Sequence, residues 1–253
     1  MDTISVIIQT YNESANITEC IHSAKLLTNN IIVVDTESTD NTNQLAKKNG
    51  AVVYTHPYEQ YVEPVRNYAM SKAESDWVFI LDADERMTQE LAGEILSRIT
   101  HEKNTYYKVP RKEYFAKKVW LSHGGWWPNH IIRLIKKDSF VDWPAAIHST
   151  PQITGSMGML NNAILHFSKN DYSDIVNKTI MFENMESELL YKANKPVSVL
   201  TFFRKFFGEL NRRLIKKQGY KDGTIGIIES MYQAFSKTIT YLYLYEKKKS
   251  SAL

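Results

Sequence analysis

A single cysteine, Cys20, stands in 253 residues. It has no partner for an internal disulfide, which excludes a disulfide-stapled secreted scaffold and makes a reducing, cytoplasmic setting the expectation. The opening stretch, MDTISVIIQT, has neither a basic n-region nor a long apolar h-region, so no secretory signal is expected in it. No apolar run reaches the ~18–20 residues of a spanning helix. Glycine-rich phosphate loops are missing too. No G-x-G-x-x-G follows the first apolar run and G-x-x-x-x-G-K-[ST] occurs nowhere, so dinucleotide-fingerprint and P-loop readings lose their main support. Net charge is equally scarce: 31 Lys and Arg against 28 Asp and Glu leave +3, too little for a nucleic-acid footprint. What remains is ordinary globular composition, 43% hydrophobic and 23% charged, with no internal repeat.

The first hundred residues alternate short apolar runs with helical periods. Ile4–Ile8, Ile31–Val34, Ala51–Tyr54 and Trp77–Leu81 are nearly continuous apolar runs, the pattern of strands buried on both faces. Between and after them, 15–27, 39–49, 64–73 and 87–99 read as helices; Gly50 suits a left-handed C-cap and Pro64 a first helical turn. This alternation predicts an α/β fold with a mostly parallel, doubly wound sheet. From about Tyr106 to Phe167 the pattern changes to short strand candidates (106–109, 131–135, 163–167) separated by loops rich in Gly and Pro. From Asp171 onward the chain reads helical.

Ligands of open parallel sheets bind beyond the carboxyl ends of the strands. There this chain carries Thr10-Tyr11-Asn12-Glu13 after the first run, Asp35 with Ser38-Thr39-Asp40 after the second, and Asp82-Ala83-Asp84-Glu85 after the fourth. Acids gathered on one sheet edge repel one another, and a divalent cation resolves the conflict. Asp82 and Asp84, two apart in extended backbone, point to one side and offer hard oxygen ligands suited to Mn²⁺ or Mg²⁺. Taken alone, the same acids also fit a polar loop ahead of a helix N-terminus.

Together with Arg66-Asn67-Tyr68-Ala69, these blocks resemble, in order, the signature blocks of family 2 glycosyltransferases with the GT-A fold, over roughly residues 1–100. Trp127-Pro128-Asn129-His130, Arg133-Leu134 and Ile147-His148 resemble the branch that adds glucose to the inner core of lipopolysaccharide. The resemblance implies a Rossmann-like GT-A domain over 1–170, its nucleotide-sugar half 1–100 and its acceptor half 101–170, followed by a helical region, 171–253. It implies a hexosyltransferase using a nucleotide-diphosphate sugar, such as UDP-glucose, and transferring it with inversion to a glycan or lipid-linked acceptor of the cell envelope. Thr10, Tyr11, Asn12 and Glu13 would line the nucleoside pocket, Asp35 would hydrogen-bond the uracil or another base, Arg66 would sit near the diphosphate, Asp82 and Ala83 near ribose and metal, and Asp84 on the metal. Two other readings stand beside it: a sugar-nucleotide nucleotidyltransferase, which should carry a glycine-rich basic loop where Thr10–Glu13 lie, and a carbohydrate-binding module without catalysis.

Inverting transfer needs a base opposite the leaving group. The middle segment offers Asp142 first, then His148, Glu113 and His166. Related core glucosyltransferases show His-Glu where this chain has His148-Ser149, so that Glu cannot serve, and His148 is alternatively a third metal ligand or a phosphate contact. Trp126 and Trp127, with His130 and Arg133, are candidates for the acceptor or sugar pocket, because indole faces stack on sugars; each Trp equally suits a core.

The tail breaks the near-neutral balance. Pro196 to Leu253 hold eleven Lys and Arg against four Asp and Glu, a balance of +7 that leaves the preceding residues at −4. Leu200, Phe203, Phe207, Leu210 and Leu214 share one helical face, and Ile225, Ile228, Tyr232, Phe235, Ile239, Leu242 and Tyr245 another. Basic amphipathic helices of this kind attach to an anionic membrane surface, here the inner face of the cytoplasmic membrane, or pack on the protein, or pair in a coiled coil.

Overall fold

The computed structural model describes residues 3–101, 104–169 and 172–250. Its elements run β1 (Ile4–Thr10), α1 (Ile17–Ala24), β2 (Ile31–Asp35), α2 (Thr42–Lys48), β3 (Val52–Thr55), α3 (Glu63–Ser71), β4 (Trp77–Asp82), β5 (Glu85–Arg86), α4 (Gln89–His101), β6 (Tyr106–Phe115), β7 (Val119–Trp120), β8 (Asn129–Lys136), β9 (Phe140–Asp142), β10 (Gln152–Ile153), β11 (Met157–Met159), β12 (Ile164–Lys169), α5 (Tyr172–Lys192), α6 (Val199–Leu210) and α7 (Gly223–Ser250). The chain divides into two compact units, Met1–Arg111 with Asn129–His166, and Lys112–Pro128 with Phe167–Leu253. The loop carrying Trp126 and Trp127 thus groups with the C-terminal helices. The expected boundary at residues 170 and 171 lies outside the described residues.

In the first unit the strands lie in the order β3-β2-β1-β4-β8-β6-β12-β5. Every residue of β1 and β2 is buried, as their unbroken apolar runs require. Alternation splits them between two cores. Val6, Ile8, Val33, Phe79 and Leu81 pack toward α1 and α4 through Cys20, Ile21, Leu91 and Ile95. Ile7, Val34, Val78 and Ile80 pack toward α3 through Val65, Ala69 and Met70. The four apolar strands are parallel, while β8 runs antiparallel to β4 and β6 to β8, so the sheet is mixed beyond β4. The order reverses at β1, with α1 and α4 on one face and α3 on the other, which opens a crevice at the carboxyl ends of β1 and β4. Register brings three chain ends level there: Thr10 stands beside Asp35, and Gln9 beside Asp82.

In the second unit α7 packs against α5 and α6. Its buried stripe is small and polar: Gly226, Glu229, Ser230, Ala234, Ser236 and Thr240, with Tyr241 and Leu244. Glu183 of α5 accepts hydrogen bonds from Ser236 and Thr240. The apolar face of this helix, open in the sequence to membrane attachment, packing or pairing, stands largely outward at Ile228, Phe235, Leu242 and Tyr245. The inward stripe is small because the backbones approach closely: a Cβ on Gly226 would lie 2.1 Å from the carbonyl oxygen of Gly219. Gly226→Ala is accordingly expected to cost about 1–3 kcal/mol, because a backbone carbonyl has to move. Urea unfolding of the full chain measures this, and an unchanged midpoint would contradict the packing.

Candidate active site

The loops after β1 and β2 are laced together by polar side chains. Asp35 is fully buried and accepts four hydrogen bonds: Thr10 Oγ1 at 2.9 Å, Ser38 N at 2.9 Å, Ser38 Oγ at 2.5 Å and Asn43 Nδ2 at 2.8 Å. Its carboxylate therefore shapes both loops. Asn12 N donates to Ser38 Oγ, Thr39 N donates to Asn12 Oδ1, and Glu13 N donates to Thr42 Oγ1, each at 2.8 Å. Asp40 receives Thr42 and Ser14; burial works slightly against its charge, but these hydrogen bonds hold its carboxyl down at about 2. Above this frame the exposed ring of Tyr11 meets Tyr58 with centroids 4.5 Å apart.

At the end of β4 two guanidiniums enclose one carboxylate. Arg66, 4% exposed, donates from Nη2 to Asp82 Oδ1 at 2.9 Å, and Arg133 donates to Asp82 Oδ2. Burial works to raise the Asp82 carboxyl, but Arg133 and Arg66 hold it far below the usual carboxylate range. Arg133 is shared with Glu85 at 2.7 Å; Glu85, fully buried, also takes Arg111 at 3.4 Å and the Asp82 backbone N–H at 3.0 Å. The turn between the two acids is fixed by Arg86, which donates to the carbonyls of Ala83 and Glu85. Arg66 Nε and Nη1 and Arg133 Nε are buried with no hydrogen-bond partner among the described residues, an arrangement that leaves donors for an anion.

Helix α3 fastens the segment that follows β9. Asn67 Nδ2 donates to Asp142 Oδ1 at 2.8 Å and to the Trp143 carbonyl, and Trp143 N donates back to Asn67 Oδ1. Glu63 receives the backbone N–H of His148 at 2.9 Å, and the Arg66 guanidinium stands 5.2 Å over the Trp143 ring. Asp142 is half-buried, and His148 is exposed with φ +59°. One helix thus carries the arginine beside Asp82 and anchors Asp142 and His148, two of the four candidate bases.

Asp84 faces a residue from the far end of the chain's sheet. β12 pairs antiparallel with β5, setting His166 opposite Glu85, and this brings His166 Nε2 to 3.4 Å from Asp84 Oδ1. No cluster of three or more His, Cys, Asp or Glu side chains able to hold a metal ion exists among the described residues. Asp84 and His166 form a two-donor site, which fits an ion that takes its remaining ligands from phosphate oxygens and water. Asp82, with each oxygen engaged by an arginine, does not fit direct ligation in this arrangement.

A family model described as Glycosyl transferase family 2 matches residues 5–165. This chain belongs to glycosyltransferase family 2. A similar protein, an uncharacterized glycosyltransferase of Rickettsia prowazekii (strain Madrid E), is 30% identical over 253 residues, covering 94% of this chain and 85% of that one. One of Rickettsia typhi (strain ATCC VR-144 / Wilmington) is 30% identical over 258 residues, covering 97% and 88%. Among solved structures, glucosyl-3-phosphoglycerate synthase from Mycobacterium tuberculosis in complex with phosphoglyceric acid superposes with a TM-score of 0.50 at 18% identity, over 78% of this chain and 82% of that one. That likeness bears on the fold, which is GT-A.

In this glycosyltransferase the first unit collects Thr10, Tyr11, Asn12, Glu13, Asp35, Arg66, Asp82, Ala83 and Asp84 around the ends of β1, β2 and β4. Arg133, expected in a sugar pocket, belongs to the Asp82 cluster. His130 lies half-buried on β8 opposite Pro110. Trp126 and Trp127 lie in the second unit, where Arg213 stands 4.8 Å over the Trp126 ring and Trp127 meets Trp120 edge-on. Glu113 is buried there as well. Sequence reasoning assigned no role to Glu85, Arg111, Tyr58 or Asn67, and placed His166 last among the bases. Removing the hub, Glu85→Ala, is expected to destabilise the enzyme by about 3–5 kcal/mol, because Arg133 and Arg111 would lose a buried counter-charge. Denaturant unfolding checks this, and a cost within the range of a surface substitution would contradict it.

Proposed function

We propose that this enzyme transfers a hexosyl group, with inversion, from a UDP-hexose such as UDP-glucose to a glycan or lipid-linked acceptor in the synthesis of cell-envelope polysaccharide or lipopolysaccharide. The observation that carries the reading is the juxtaposition at one strand end of Asp84 with His166 and of two buried arginines with unused N–H groups. Asp84 and His166 would hold Mn²⁺ or Mg²⁺, which when bound offsets negative charge on the donor's diphosphate. Arg66 and Arg133 add charge-assisted hydrogen bonds to the same oxygens. Tyr11 and Tyr58 stack on the base, Thr10 and Asp35 set the loops beneath it, and Asp82 accepts from the ribose.

Asp142 serves as the base. Asn67 holds one of its oxygens, leaving Oδ2 without a hydrogen-bond partner among the described residues. Oδ2 takes the proton of the acceptor hydroxyl as its oxygen bonds to the anomeric carbon; the bond from that carbon to the diphosphate breaks with its electron pair on the leaving group. His148, on the same anchored segment, contacts the acceptor. No helix among the described residues is long and apolar enough to cross a membrane. The basic C-terminal region attaches the cytoplasmic enzyme peripherally to an anionic membrane surface, where a lipid-linked acceptor lies.

Titration calorimetry of UDP with Mn²⁺ is expected to show binding to the wild type and none to Asp84→Ala; undiminished binding would refute the metal assignment. Asp142→Asn should lower kcat roughly 10²–10⁴-fold with KM little changed. In a panel of nucleotide sugars, donor binding without any turnover by the wild type would favour the non-catalytic reading.

A further inference from the structure

Helix α6 leaves an apolar face uncovered. Val199 and Leu200 are 72% and 74% exposed, and Phe203 and Phe207 are each 58% exposed. The four fall within one sector of the helix, and Phe203 and Phe207 stack in parallel with centroids 6.3 Å apart. This is not a frayed end. Ser198 caps the helix in a capping box with Thr201, immediately before the apolar face begins. The opposite side of the same helix is engaged, with Lys205 lying 4.9 Å over the ring of Tyr241 on α7.

The charge around this face has one sign. Between Pro196 and Lys217 six Lys and Arg stand against one acid, Glu209. Arg212 and Arg213 donate to Glu209 at 2.8 and 2.7 Å, so it presents no free negative charge. Arg204 is exposed at the margin of the apolar sector, and Arg212, Lys216 and Lys217 are exposed in the turns that follow, next to an outward Ile215. Twelve residues give a helix of about 18 Å, too short to span a bilayer of ~30 Å but long enough to lie in its interface. A second copy of the chain fits less well. Four side chains are far from the ~800 Å² per partner of a stable interface, and pairing this face with itself would bring like-charged margins together.

We propose that the outer face of α6 is the surface by which the protein lies on an anionic lipid bilayer, with Val199, Leu200, Phe203 and Phe207 entering the acyl boundary and Arg204, Arg212, Lys216 and Lys217 meeting the headgroups. This rests on the membrane-surface reading of the C-terminal region and assigns it to one helix face, leaving the exposed residues of α7 outside the contact.

The test is flotation of the full-length protein with vesicles of phosphatidylglycerol and phosphatidylcholine, or of phosphatidylcholine alone, at low and high salt. The wild type is expected to float with the anionic vesicles and to be released by salt. Phe203→Glu with Phe207→Glu should lower that partition at least roughly tenfold, whereas Phe235→Glu on α7 should not. Val199→Ser with Leu200→Ser, the most exposed pair, reads the same face if the glutamate variant does not fold, and Mn²⁺-dependent UDP binding reports an intact catalytic unit. Undiminished flotation of both α6 variants would overturn the assignment to α6 while the membrane reading stands. Failure of the wild type to float with either vesicle would overturn both. A wild-type dimer in light scattering that the α6 variants convert to monomer would overturn the proposal in favour of a protein interface.

Discussion

The geometry of the proposed donor site depends on one buried ion cluster, Asp82 between Arg66 and Arg133, with Glu85 beneath. Charges this well enclosed hold only while each has its partner. The cluster ties together α3, the end of β4, the tight turn to β5, and β8, elements that the apolar cores alone would leave free to shift at their ends. Arg111 adds β6, and Arg66 reaches the segment after β9 through Trp143. The same guanidiniums that fix the backbone retain buried N–H groups without a hydrogen-bond partner among the described residues.

A second polar frame, centred on Asp35, plays the matching role at the other side of β1. Its four donors come from β1, from the loop after β2 and from α2. Asp35 is saturated by donors of its own chain, while Tyr11 and Tyr58 present the open surface beside it. Cys20 belongs to the support as well. It is buried, its thiol is pushed well up by that burial, and it donates to the Asp82 carbonyl at 3.4 Å.

Much of the first unit was legible in the sequence, because unbroken apolar runs such as Ile4–Ile8 and Trp77–Leu81 have few alternatives to strands covered on both faces. Strand ends then locate the acids. What pattern could not supply was pairing between distant segments. His166 reaches Asp84 only because β12 lies antiparallel beside β5, and Glu85 becomes a hub only because arginines arrive from β6 and β8. The two arginines on Asp82, likewise, come from α3 and β8 and occupy both of its carboxylate oxygens. In the tail, periodicity marked the apolar faces but left their direction open; Gly226, Ser230 and Ala234 permit a close helix contact that larger residues would prevent, so the bulky faces turn outward.

The central claim is that a nucleotide-sugar donor sits in the crevice at the ends of β1 and β4, its diphosphate between the arginines and a divalent ion. A structure of the full chain with UDP and Mn²⁺ tests it most directly. The account predicts the ion on Asp84 and His166, the diphosphate within hydrogen-bonding distance of Arg66 or Arg133, and the base against Tyr11 and Tyr58. A nucleotide bound elsewhere, or an ion held without Asp84, would contradict it.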